Sequence, residues 1–175
     1  LGQLYFLQAL EKNHRASDAL GLLNALRKEQ SLSPQSVADL EVQLHVSALR
    51  QSGDADAFLQ QWNGLPDRLK HNTQILQTFA ARADALALET RAVQVLSDHL
   101  GQFWTAELLD SLASISSHAN DQRIGLCEAW LPQHPDDAAL HAALGKLHGL
   151  EKNYSKAETL LNRAVTLGPN SQSWE

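Results

Sequence analysis

Three of the eight histidines, His134, His141 and His148, fall at intervals of seven and invite a metal or haem site. On a continuous helix seven residues advance about 10 Å along the axis. His141 and His148 would then share a face but stand too far apart to hold one ion, and the chain has neither an HxxxH pair nor an HExxH motif. A single histidine, or Cys127, could still serve as an axial ligand to haem iron. Cys127, however, lies between Leu126 and Glu128 without the proline that accompanies regulatory haem-binding cysteines, and reads as a small core residue. Ser116, Ser117, His118 and Asp121 bring nucleophile, base and carboxylate together in sequence. Triads are assembled across folds, so adjacency carries little weight, and a helix ending at Ser117 with a cap near Asn120-Asp121 accounts for the same residues. Glu107 with Asp110 and Asp136 with Asp137 could be acid–base pairs; first-turn dipole complementarity and a solvated face explain them as well. Gly64-Leu65-Pro66 and Gly168-Pro169 read as turns, not phosphate loops. The sequence therefore assigns no catalytic, cofactor or metal residue.

The elements that would position any site are helical. Leu and Ala supply 56 of the 175 residues whereas Val, Ile and Thr supply 15, a balance that favours helix over strand. Apolar residues recur at three and four, as in Leu4, Leu7, Leu10 and Leu20, Leu23, Leu26, or Leu40, Leu44 and Leu49. The expected fold class is all-α. One cysteine excludes a disulfide framework, and a net charge of -6 removes the attraction on which phosphate-backbone binding depends, so nucleic acid is not the expected partner. No apolar run approaches the roughly 18 residues needed to span a bilayer. The chain begins at Leu1, contains no Met, and ends at Trp174-Glu175 just past a helix-restarting signal, so it is expected to be a piece of a longer chain.

Breakers divide the sequence into about ten helices, near 2 to 12, 15 to 30, 34 to 52, 54 to 63, 71 to 83, 85 to 100, 103 to 117, 120 to 133, 136 to 150 and 153 to 167. Ser33-Pro34 offers a cap followed by proline at the first helical position, and Pro135-Asp136-Asp137 puts carboxylates at a positive helix end. The connections are short, which predicts one continuous array over 1–175. Pro135 and Pro169 stand 34 residues apart, the length of one helix-turn-helix unit. Within 138–171, Leu144-Gly145 is followed by Tyr154, Ala157, Leu161, Ala164 and Pro169, small residues where paired helices approach and large ones between. In type and spacing this unit resembles the tetratricopeptide repeat. The pair over 103 to 135 keeps the rhythm, with Leu108, Leu112, Ile115, Cys127, Trp130 and Leu131, but loses the small-residue ladder; Glu11-Lys12-Asn13 recurs as Glu151-Lys152-Asn153. The expected architecture is a right-handed α-solenoid of about five helix pairs.

Trp62, Leu65, Arg68, Phe103-Trp104, Trp130-Leu131, His134-Pro135, Asp137, Leu140, Leu144-Gly145 and Leu147 follow one another in an order that resembles the repeat domain of the bacterial HemY family. The resemblance implies the soluble part of an inner-membrane protein whose membrane hairpin is missing here, facing the cytoplasm and tied to late haem synthesis. The implied partner is a protein of that pathway, ferrochelatase or protoporphyrinogen oxidase. The expected binding surface is the face made by the first helices of successive pairs, which in the last unit carries Ala139, Ala142, Lys146 and Gly149. The expected function is thus a non-catalytic interaction scaffold, with a haem- or porphyrin-binding carrier as the alternative.

Overall fold

The computed structural model describes Asp18, Ala19, Gly21, Leu23, 33–116 and 120–168, and among these residues it is all-helical. Asp18, Ala19, Gly21 and Leu23 are helical; the rest of the expected helices 2 to 12 and 15 to 30, with the Glu11-Lys12-Asn13 turn and residues 169–171 of the expected repeat, lie outside the described residues. Eight α-helices follow: α1 Pro34–Gln51, α2 Ala55–Asn63, α3 Thr73–Ala85, α4 Glu89–Leu100, α5 Ala106–Ser114, α6 Asn120–Trp130, α7 Ala138–Leu150 and α8 Tyr154–Leu167. The chain divides into two compact units, Leu1–Arg82 and Ala83–Glu175. No described helix is long and apolar enough to cross a membrane.

In the first unit the capping residues act as their types dictate. Ser33 Oγ accepts from Ser36 N at 3.1 Å ahead of Pro34, and Asp54 accepts from Ala57 N at 2.8 Å to start α2. The amphipathic faces bury Leu40, Leu44, Leu49, Phe58, Trp62 and Phe79, with the Phe79 ring 5.0 Å from Phe58 and 4.2 Å from Trp62. A short 3₁₀ turn, Asp67–Leu69, departs from the periodicity; it brings Arg68 onto Glu41 in two bonds of 2.6 and 2.8 Å, pairing a carboxylate that α1 buries.

In the second unit three boundaries depart from the periodicity. The α4 helix starts four residues later than expected because Ala87 is in the left-handed region (φ 58°) and Leu88 N donates back to Ala83 O. Thr105 in extended conformation delays α5, and Ile115, also extended, ends it. Trp130 O accepts from both Gln133 N and His134 N, which closes α6 three residues early. Helices α5, α6 and α8 all pack against α7.

Two devices bring these helices close. At Gly145 on α7 a Cβ would lie 2.7 Å from Leu161 Cγ and 3.2 Å from Ala157 O of α8, so only glycine fits this crossing. Between α5 and α6 the device is Arg123, whose side chain is fully buried. Its Nη1 donates to Ile115 O at 2.5 Å, Leu112 O at 3.0 Å and Ala113 O at 3.4 Å, and its Nη2 to Asn120 Oδ1, so one guanidinium satisfies carbonyls that the end of α5 leaves open. Burial pulls the Arg123 pKa below its ordinary value, and the nearby Asp84 carboxylate opposes that shift.

Gly145→Ala should lower the stability of the second unit by about 1 kcal/mol, because overpacking of about 1–3 kcal/mol outweighs the roughly 1 kcal/mol that alanine gains in helix propensity. In a Leu161→Ala background the same change should become neutral or stabilising, and additive urea-unfolding energies in this double-mutant cycle would refute the crossing. Arg123→Met, which leaves buried carbonyls unpaired, should cost about 3 kcal/mol by the same measurement.

Candidate functional site

The N-terminus of α7 is fixed by an aromatic corner. Asp137, the N-cap, accepts from Leu140 N through Oδ1 at 2.9 Å and from Trp104 Nε1 through Oδ2 at 2.8 Å. The Trp104 ring stacks flat on His134, centroids 3.6 Å apart and planes 9° from parallel, and meets Trp130 edge to face at 5.6 Å. His141 Nε2 lies 2.8 Å from Pro135 O, closing the same loop. Residues from the segment before α5, the end of α6, and the start of α7 thus set the height and direction of α7.

The part of α7 so positioned forms the floor of a cavity of about 480 Å³, lined by Ala139, Ala142, Ala143 and Lys146 of α7, Asp110 of α5 and Leu161 of α8. Three of the four residues expected to bind a partner, Ala139, Ala142 and Lys146, therefore meet in one cavity; Gly149 is not part of its lining. Lys146 Nζ donates to Asp110 Oδ1 at 3.0 Å and to Ser114 Oγ at 2.6 Å, so the cation links α7 to α5 at the cavity rim. A floor of methyl groups beside one ion pair can receive apolar side chains without stranding a polar group.

The residues considered for chemistry are dispersed. His134 stacks on Trp104, His141 faces a backbone carbonyl, and His148 is buried beside Glu128 at 3.8 Å. Cys127 is fully buried, and burial pushes its thiol up to about 12, where the reactive thiolate is absent at neutral pH. Ser116 donates through N and Oγ to the two oxygens of Asp84 at 2.8 and 2.9 Å, an arrangement that fastens the end of α5; Ser117 and His118 lie outside the described residues, and Asp121 is exposed in the first turn of α6. Asp136 accepts from Arg163 of α8 at 2.7 Å, while Glu107 stands exposed in the first turn of α5. Among the described residues no group of three or more His, Cys, Asp or Glu is placed to hold a metal ion.

Comparison with protein-family models, with curated proteins and with solved structures finds no match to this chain.

Sequence reasoning missed two residues that shape this region, Arg123 and Asp84, and read Asn120 only as part of a helix cap, whereas its Nδ2 donates to Glu151 Oε1 at 2.5 Å beyond the end of α7. Arg123 left a signal, a cation inside the apolar stripe of α6, but its partners are carbonyls and carry no residue type. Trp104→Phe should keep the ring stack and lose the Asp137 bond, costing about 1 kcal/mol in urea unfolding, whereas Trp104→Ala should cost about 3 kcal/mol or more. No loss in Trp104→Phe would show that the indole nitrogen contributes nothing, and equal losses in the two variants that the ring stack contributes nothing.

Proposed function

We propose that the chain is a non-catalytic protein-interaction scaffold, a right-handed array of helix pairs similar to tetratricopeptide repeats. By its resemblance to the HemY family it serves late haem synthesis at the bacterial inner membrane, its soluble side in the cytoplasm, with ferrochelatase or protoporphyrinogen oxidase as partner. The observation that carries the scaffold reading is the methyl-floored cavity on α7, which meets the expected binding face at Ala139, Ala142 and Lys146.

Two further features support it. Trp104, Trp130, His134, Asp137 and Leu140, which carry much of the resemblance, meet in one corner and explain why that order of residues belongs together. Polar links in the second unit also recur at nearly one repeat length: Asp84 to Ser116, Trp104 to Asp137, Asp110 to Lys146 and Asn120 to Glu151 join residues 32, 33, 36 and 31 apart. The carrier alternative is less well supported, since neither histidine nor cysteine lines the cavity.

The test is a pull-down from a bacterial membrane extract, with the wild-type domain as bait beside a variant carrying Ala139→Glu and Ala142→Glu. Both substitutions keep helix propensity and fill the cavity with charge. Recovery of ferrochelatase or the oxidase by wild type alone is the expected result; affinity should be modest, because partners held at one membrane gain effective concentration. Equal recovery would move the site elsewhere, and recovery of neither would refute the scaffold reading. A saturable Soret shift with added haem, lost in the double variant, would favour the carrier.

A further inference from the structure

Helix α8 supplies Leu161 to the cavity wall and packs along one face of α7. Ala157 is its only buried residue, while Tyr154 and Val165 are 68% and 80% exposed. Besides that packing, which is closest at Gly145, two surface ion pairs among the described residues tie it, Lys156 to Glu128 of α6 at 2.7 Å and Arg163 to Asp136 at 2.7 Å. Beside the first of these sits His148 of α7, buried, with Nε2 making no hydrogen bond and facing Glu128 Oε1 at 3.8 Å. The same carboxylate oxygen therefore faces two potential cations, and only Lys156 is close enough to bond it.

We propose that this corner is a pH-sensitive latch: a proton on His148 Nε2 competes with Lys156 for Glu128 and releases α8 from α6 and α7, removing Leu161 from the cavity wall. The groups that bear on the imidazole are Glu128 on α6, Lys156 on α8 and Glu151 just past α7. Burial, then the Lys156 cation, holds the imidazole below its ordinary 6.5, and Glu128 and Glu151 oppose them without reversing the sign. Folded α8 thus binds fewer protons than released α8. The latch is intact above about pH 6.5 and weakens as pH falls below that value. Glu128 stays ionised through this window, because its bond from Lys156 holds its carboxyl below the usual range.

The release stands on this geometry whatever the cavity binds; only its consequence for partner binding rests on the scaffold reading. Hydrogen–deuterium exchange of the whole chain at pH 7.5 and 5.5, corrected for intrinsic rates, reads the latch without any partner. A local readout is needed because His45, also held below its ordinary value by burial, lies in the other unit. Protection over 154–167 should fall severalfold, with a ceiling of about tenfold if the folded imidazole stays neutral, while α5 changes little. His148→Gln should abolish the fall, and Lys156→Gln, a surface change that leaves the core intact, should reduce it by removing the opposing cation. An unchanged α8 in wild type, an equal loss in α5, or a full response in His148→Gln would each overturn the latch. Should the pull-down fail while this response appears, the partner reading falls and the latch remains.

Discussion

The second unit depends on a buried cation. Arg123 brings a guanidinium out of water and recovers the loss by donating to three carbonyls at the end of α5 and to Asn120, whose amide in turn reaches Glu151 beyond α7. Three helices are thereby referred to one rigid plane of five donors, and the register of α5 against α7, hence of Asp110 and Ser114 against Lys146, follows from it.

The position of Arg123 sets the pair α5–α6 apart from the pair α7–α8. Arg123 lies 34 residues before Ala157, and Ala113, whose carbonyl it bonds, lies 32 before Gly145. Where α7 and α8 approach by removing side chains, α5 and α6 are bridged by one long side chain at the corresponding place. The two solutions bring paired helices together by opposite means.

How much was legible in the sequence follows from this contrast. Helix positions were readable because apolar periodicity and start signals such as Ser33-Pro34 and Asp136-Asp137 are local, and Gly145 was readable because its crossing is a property of one residue. The boundaries of α4 and α5 were less so, since they turn on backbone conformations at Ala87, Thr105 and Ile115 that those residue types do not demand. Within the cavity, Ala139, Ala142 and Lys146 follow from helical register, whereas Asp110 and Leu161 come from other helices and required the packing angles. The aromatic corner lay between these cases: the order of Trp104, Trp130, His134 and Asp137 was visible as a resemblance, but not that one cap carboxylate joins them.

Cys127 is the chain's single cysteine and lies within the packed face of α6, shielded and with its thiol pushed far above neutral pH. A thiol reagent cannot reach it in the closed protein, so labelling must wait for the second unit to open. The rate at which sulfur is modified is consequently a clock for that opening, set by protein motion and not by the sulfur's own nucleophilicity. A cysteine introduced on the surface would be alkylated while Cys127 stays untouched, which makes the native residue compatible with site-specific attachment of a dye or spin label without first being replaced.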